Sequence, residues 1–491
     1  MAERLSKIFY RIMLVIFTAF IGLGVFLGTF GHLESLSYVI ALILAAGILL
    51  MLKWLQPRIL DRLEHLNHPG SVLTGLLLCI FCFVLNLIWV LSFQIEPTVD
   101  FKTFHDTARQ IAGGERIDML YIGLFPHILG YSTFLSVFIR LFGDSPLLAP
   151  LLNVALTTVS GLCLYILCHR WLGYRQAVFA FFFWSICPSK LLYNSMVMSE
   201  PTYTCFILLF LLLLSLACDG RGSYPVRCIA ALPLGLACGA LLLAINASRP
   251  IALILLIAFF LWLFLLRGKE LKKLKSWGLL ALFTAAMLLS YSRCDYYWNR
   301  WEYLHVFEQT SDVPAYNIYV GLNPESEGSY SEEDMDLLLN YRYNEEYGSA
   351  VYAQEQMLGE VKKRLSSGEI NFPHLFAVKL AKLMGNDEGG AFYAQAELSR
   401  PQFVFWTAVG NIYYYILVIL SILGAAVLFR KPVYSTVCIA PIYSIGLIMA
   451  HLIIEVSGRY KYSIIPLLVI VAAFSLPCGH TQSRKNLSVR Q

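Results

Sequence analysis

The sequence predicts an all-α polytopic membrane protein of about twelve transmembrane helices, with interfacial helices in one external loop and an α-rich external domain. Three observations carry that class. Of 491 residues, 58% are hydrophobic and only 14% charged, a balance that soluble domains of this size do not reach. Apolar runs long enough to cross a bilayer, at about 1.5 Å per residue, recur along most of the chain. Lys and Arg gather at alternate ends of those runs, which orients them by the positive-inside rule. The net charge of +5 is therefore topological information, and no nucleic-acid partner is expected. The twelve cysteines lie mostly in apolar runs, where they act as small hydrophobes. With only Cys294 in the long polar segment, no disulfide framework is expected.

Taken in order, Arg4, Lys7 and Arg11 stand at the head of the first run, Ile8–Phe30, and place the N-terminus in the cytoplasm. That run is too long for a signal peptide and is expected to remain as an anchor. The chain returns through Tyr38–Leu52 to a cytoplasmic loop with Lys53, Arg58 and Arg62, so residues 1–70 read as an added hairpin. Ser71–Phe93 goes out again. Leu120–Phe142 is apolar but broken by Gly123, Pro126 and Gly130; counted as a span it would put His169, Arg170 and Arg175 outside. It reads instead as helices in the outer interface, within one external loop, 94–146.

Leu147–Cys168, Ala177–Ile186, Thr202–Ala217, Cys228–Ala244, Ile251–Leu266 and Trp277–Ser290 complete a transmembrane core over 71–290. Arg267–Lys275 is its strongest cytoplasmic marker. The polar segment 291–402 reads as a folded external domain; Tyr291–Arg400 carries 18 of the 32 acids against nine Lys and Arg. Within it, GLNPESEGSYSEED reads as loop, and Asn344–Ser366 and Pro373–Met384 as amphipathic helices. Pro401–Phe429, Val433–Ile454 and Ser463–Leu476 bring the last region, 403–491, to a basic cytoplasmic tail.

Certain charges sit where this topology does not ask for them. Asp100 lies just past the end of a span, with Phe104, Ala108 and Ala112 on its helical face. Held at a membrane surface, such an acid can take a proton from a substrate too polar for lipid; alternatively it caps its helix. Glu200 stands in Ser199-Glu200-Pro201 at a helix start, an ordinary position for a cap, a dipole-paired acid and a first-turn proline. Arg249 and the pair Arg459 and Lys461 fall at external helix ends, where basic residues are scarce. Snorkelling to headgroups is one account of them. Two such clusters on the face that carries Asp100 and Glu200 favour another, because guanidinium forks match phosphate oxygens. Two acids and two cationic groups suffice for glycosyl transfer: an acid deprotonates the acceptor hydroxyl and the cations stabilise the departing lipid phosphate.

These residues resemble a known pattern. VDFKTFHDTARQIAGGE, FIRLFGDSPLLAPLLNVAL, CHRWLGYRQAV, MVMSEPTY, AINASRP and GRYKYSIIP, in order and spacing over about Ser71–Pro477, resemble the GT-C glycosyltransferases of the family 39 type. That group includes protein O-mannosyltransferases and the lipid A aminoarabinose transferase. The resemblance implies a GT-C fold, an inverting transfer from a polyprenyl-phosphate sugar to a cell-envelope acceptor, and a plasma-membrane enzyme whose site faces the extracytoplasmic side. It implies catalytic roles for Asp100 and Glu200, and a phosphate-binding role for Arg249, Arg459, Tyr460 and Lys461. Many members have two adjacent acids in the first loop where this chain has Val99-Asp100, which leaves Asp106 as a further candidate. No role carries onto His127, because the family's His-Pro-Pro is absent. Mg²⁺ or Mn²⁺ on the carboxylates and metal-free stabilisation by Arg both remain open. A lipid or oligosaccharide flippase and a structural membrane protein are the rival classes; one cavity gathering Asp100, Glu200, Arg249 and Arg459 would separate them.

Overall fold

The computed structural model describes residues 2–32, 36–64, 70–118, 120–219, 230–267, 274–311 and 313–477. Most of the cytoplasmic loops expected at DGRGSYPVR and RGKELKKLK, and the basic tail, lie outside them. Every regular element among the described residues is helical, apart from one isolated bridge between Ile117 and Val306. Eight helices are long and apolar enough to cross a membrane, and shorter apolar helices accompany them. This is the architecture of a multi-pass membrane protein.

The first helices are α1 (Ala2–Leu27), which packs on α17, α19 and α20, and α2 (Leu36–Glu64), which packs on α19, followed by α3 (Ser71–Ser92). The first loop carries α4 (Val99–Gly113), α5 (Leu120–Leu124) and α6 (Ile128–Phe142). Next come α7 (Leu148–Trp171), α8 (Tyr174–Ser185), α9 (Pro188–Asn194), α10 (Glu200–Cys218), α11 (Ala231–Ser248) and α12 (Ala252–Leu261). The segment after α13 (Leu274–His305) holds α14 (Ala315–Gly321), α15 (Glu332–Arg342), α16 (Ala350–Ser366), α17 (Phe372–Met384) and α18 (Gly389–Tyr393). The chain closes with α19 (Arg400–Arg430), α20 (Ile439–Ile453) and α21 (Ile464–Ala473).

Several boundaries differ from the sequence reading, each for a local reason. Only Pro126 breaks the run 120–142, since it alone removes a backbone donor. Gly130 stays helical and serves a close approach instead: a Cβ there would lie 2.1 Å from the Ala247 carbonyl carbon at the end of α11. Tyr291–His305 contains neither Pro nor Gly, so α13 continues past the expected stop at Ser290. The end of the stretch read as loop, 332–334, instead opens α15, whose start is capped by the Ser331 hydroxyl and carries three acids in the first turn. The helix expected from Asn344 begins only at Ala350, where Ser349 accepts the Tyr352 N–H.

Helix α6, at about 1.5 Å per residue, is too short for a bilayer core of about 30 Å. It packs on α4 and the end of α11 rather than standing alone. The Ser132 hydroxyl donates to the Phe104 carbonyl at 2.9 Å, Tyr131 meets Phe104 edge to face, and Arg140 donates to the Ile111 and Ala112 carbonyls at the C-terminal end of α4. Beyond α13, α16 leans on α5, α14 on α20, α18 on α9, and α17 on both α1 and α20. The α1–α17 contact depends on missing side chains: Cβ atoms at Gly24 and Gly28 would lie 2.5 Å from Met384 and 2.6 Å from Gly385.

At one end of the bundle, residues from the expected cytoplasmic turns clasp helix termini. Asp219, after α10, accepts from the Trp171 indole at 3.0 Å and the Thr436 N–H at 3.1 Å, and from the Thr436 hydroxyl. Arg170 donates to Ser215 at its hydroxyl and carbonyl, and Arg267 to the Cys218 carbonyl. The loops 94–146, 187–199, 249–251, 306–399 and 454–463 meet at the other, loop-rich end, where the candidate site lies.

Candidate functional site

Three loops deliver the central charges. Thr98 makes no side-chain cap at the start of α4, and Asp100 in the first turn reaches sideways instead. The Arg459 Nη2 donates to its Oδ2 at 2.8 Å. The Arg459 Nε lies 3.9 Å from Glu200 Oε1, so one guanidinium is shared by two carboxylates that are 100 residues apart in sequence. Arg459 sits on the tight turn Gly458–Lys461, with its guanidinium 5.7 Å from the Phe101 ring centre, 5.1 Å from that of Tyr393 and 5.6 Å from that of Tyr460. That aromatic collar excludes water from the cation and fixes its plane.

Accessibility separates the two acids: the Asp100 side chain is 36% exposed and that of Glu200 2%. Val99, immediately before Asp100, has φ of 46°, the left-handed region, which strains a β-branched residue. The Ser199 hydroxyl makes no cap for α10, contrary to the sequence reading, while Pro201 stands in the first turn as expected.

Arg249 follows the end of α11, not the start of α12, and its N–H already bonds the Ile245 carbonyl, so it offers no free backbone donor. Its guanidinium lies 4.2 Å from the centre of the Tyr460 ring. No carboxylate is salt-bridged to Arg249 among the described residues. Tyr460 is held between Arg249 and the His451 ring, 4.9 Å between centres, and its hydroxyl donates to Glu455 Oε1 at 3.1 Å. Burial raises the Glu455 carboxyl above the usual range, against the nearby Arg459 charge.

Not every candidate joins this cluster. Lys461 is turned away into a second buried group: its Nζ lies 3.7 Å from Asp387 Oδ1 and donates to the Asn386 and Gly458 carbonyls. Asp387 also accepts from the Ser189 hydroxyl at 2.5 Å. Burial raises the Asp387 carboxyl and lowers the Lys461 ammonium, each partly offset by the other's charge. Asp106 lies six residues past Asp100, on a different face of α4. Nearby, Asp144 ties His105 and Arg109 at 3.0 Å each.

His127, Glu455 and Tyr393 were missed. His127 is half-buried beside Arg249, Asp100 and Arg459, and desolvation holds its imidazole neutral, its pKa lowered to about 3. The sequence signal available was Pro126-His127 in the interfacial loop. Among the described residues no group of three or more His, Cys, Asp or Glu could hold a metal ion. Asp100 and Glu200 both face the Arg459 guanidinium.

A cavity of about 320 Å³ adjoins the cluster, lined by His127 and by Asn246, Ala247 and Pro250, which flank Arg249. Asp100, Glu200, Arg249 and Arg459 are not among its lining residues.

No protein-family model and no curated protein matches the chain. Among solved structures it is similar to ArnT from Cupriavidus metallidurans bound to undecaprenyl phosphate, at 13% identity and a TM-score of 0.36, covering 80% of this chain and 77% of that one. The apo form of the same protein is similar at 11% identity and a TM-score of 0.33, covering 80% and 76%. Likeness that loose carries no argument about this chain.

Proposed function

We propose that the protein is a membrane glycosyltransferase of GT-C organisation and family 39 type. In this reading it moves a sugar from a polyprenyl-phosphate donor to a cell-envelope acceptor on the extracytoplasmic face, with inversion. The observation that carries it is the guanidinium of Arg459, buried at one end of a helix bundle and shared by an accessible acid and a buried one, with Arg249 close behind. Charges buried this way are costly in a membrane protein and mark functional sites.

Each group then has a task set by its surroundings. Asp100, the exposed acid, accepts the proton of the acceptor hydroxyl as that oxygen attacks the anomeric carbon. The bond from that carbon to the phosphate oxygen breaks, and the phosphate leaves with its electron pair. Arg249, free of carboxylate salt bridges among the described residues, and Arg459 hold the developing phosphate charge. Glu200, too buried to meet substrate, orients Arg459. Tyr460 supports Arg249 from beneath, and Lys461 belongs to the support formed with Asp387. With the cation position filled by guanidinium, the reading contains no metal ion.

Mass spectrometry of lipid co-purified with the full chain tests this. Polyprenyl phosphate, free or sugar-linked, is expected with the wild type and lost in Arg249→Ala. Its absence from the wild type, or equal retention by both proteins, overturns the donor assignment.

A further inference from the structure

Helix α13 carries a continuous stripe of exposed side chains along one face. Leu282, Ala285 and Leu289 come first, and Arg293, Tyr296, Tyr297, Arg300, Tyr303 and Leu304 continue it at helical spacing. An adjoining side packs on α11 so closely that the rotation of the helix is fixed. A Cβ at Gly239 would lie 2.3 Å from the Met287 carbonyl oxygen, and one at Gly235 2.6 Å from that of Phe283. The two acids of this stretch, Asp295 and Glu302, fall on the far side by their spacing, so the stripe carries cations and no carboxylate. Arg293 and Arg300 stand two turns apart, and neither is salt-bridged among the described residues. Between them the rings of Tyr296 and Tyr297 meet edge to face, 5.5 Å between centres.

We infer that this stripe binds anionic phospholipid, with both guanidiniums on headgroup phosphates in the leaflet at the candidate site's end of the bundle. Length argues for it. The apolar run Trp277–Ser290 covers only about 21 Å at about 1.5 Å per residue, against a hydrocarbon core of about 30 Å. The next two turns must therefore still meet lipid. Measured from Lys275 near the other end of the helix, Arg293 is about 27 Å away and Arg300 about 38 Å. Those distances fall at the far edge of the core and within a bilayer of about 40–45 Å counted with its headgroups. The order of side chains agrees: apolar first, then cation and tyrosine, the succession from acyl chain to headgroup. Arginine forks match phosphate oxygens, and tyrosine rings lie at the boundary with their hydroxyls toward water. A second copy does not fit this face, because a parallel partner would set Arg293 against Arg293 and Arg300 against Arg300. The far side of the same turns lines the cavity at Asp295 and Glu302, so lipid on one face steadies a wall on the other. This site stands whether or not the protein transfers sugar.

Nitroxide labels on the full chain, in nanodiscs of phosphatidylcholine with phosphatidylglycerol, test the depth of the stripe. They are placed singly at Leu289→Cys, Tyr296→Cys and, at the end of α15, Tyr343→Cys, with Cys79, Cys228, Cys294 and Cys478 replaced by Ser. Leu289→Cys should favour collision with oxygen, Tyr343→Cys with a water-soluble nickel chelate, and Tyr296→Cys should lie between. Tyr296→Cys as open to the chelate as Tyr343→Cys overturns the inference. So does spin–spin broadening there, which reports a second copy, or protection from both agents, which reports a protein partner. Native mass spectrometry then counts the phosphatidylglycerol retained by chains released from those discs. Arg293→Gln with Arg300→Gln should cut retention roughly 25-fold, about fivefold for each cation, and the double Lys variant should keep most of it. Equal retention by the Gln variant and the wild type overturns the inference. Co-purified polyprenyl phosphate, expected to be lost in Arg249→Ala, should be unchanged in the Gln variant; its loss there would assign the stripe to the donor and overturn the bilayer-lipid site. The depth measurement leaves both arginines in place, so it decides even where the Gln variant does not fold.

Discussion

The two ends of the bundle use the same kinds of residue for opposite purposes. At one, Asp219 accepts two backbone or ring N–H groups, and Arg170 and Arg267 donate to helix-terminal carbonyls. These contacts join charged side chains to dipoles of the fold, and the result is a clasp. At the other end charges meet one another: Asp100 and Glu200 share Arg459, Lys461 faces Asp387, and Tyr460 binds Glu455 under Arg249. An ion pair buried among aromatics is weak evidence for stability, since desolvation cancels much of the attraction. Residue type alone therefore does not separate the ends; the identity of the partner does. Substitutions at one end should register as lost folding, and at the other as lost chemistry.

The sharpest break in that comparison is Asp100→Asn. Loss of a general base should lower transfer by about 10²–10⁴-fold, with the melting temperature nearly unchanged. Product formation from a lipid-linked sugar and a thermal melt check both halves, and full activity would transfer attention to Asp106. Next come Arg249→Ala and Arg459→Ala, each expected to lose a charged hydrogen bond to phosphate worth about 1.5–3 kcal/mol. That is roughly ten- to a hundredfold in donor dependence. Lys at either position should keep part of it, because charge survives while the planar fork does not. Donor titration of the four variants decides; silent Ala variants would leave these residues as snorkelling cations.

Asp219→Asn, at the opposite end, should behave in reverse. An amide has one acceptor oxygen where the carboxylate had two, so the clasp loses about 1–3 kcal/mol while activity per folded molecule is kept. Unfolding curves alongside specific activity test it. A further test concerns Lys379 of α17, fully buried, donating to the Gly321 and Ile454 carbonyls at 2.6 and 2.9 Å. Burial lowers its pKa to about 7, against Glu455, which raises it. The unfolded chain holds that proton up to about pH 10.4, so between the two values it binds more protons than the fold does. Stability should therefore rise from about pH 7 toward 10 and be flat below, and the slope should shrink in Lys379→Met. Melts across that range read it directly.

Much of this was legible beforehand, in a patterned way. Apolar runs announced the spans because lipid demands continuous apolar length, and each run read as a span holds a helix among the described residues. Asp100, Glu200, Arg249 and Arg459 were conspicuous as charges at span ends, and the fold brings their loops to one end. What sequence could not convey is which charge would face which. Lys461, two residues from Arg459, turns to Asp387 from a segment 74 residues earlier, and nothing in GRYKY indicates that rotation. Pro126-His127 was the one local sign of His127, and its place depends on α11 arriving against Gly130. The length of α13 was missed for a different reason: its polar and aromatic outer part resembles a loop by composition while containing nothing that ends a helix.

The bare contacts of Gly24 and Gly28 with Met384 and Gly385 bear on the order in which the protein can be made. Helix α1 lies against α17, α19 and α20, so its final neighbours do not exist until most of the chain after it has been inserted. Asp100 likewise waits 359 residues for Arg459. Until then the early helices stand in lipid with their packing faces uncovered and their acid unmatched, a state open to quality-control proteases. A chain stopped before residue 459 would hold most of its spans and leave Asp100 without its guanidinium.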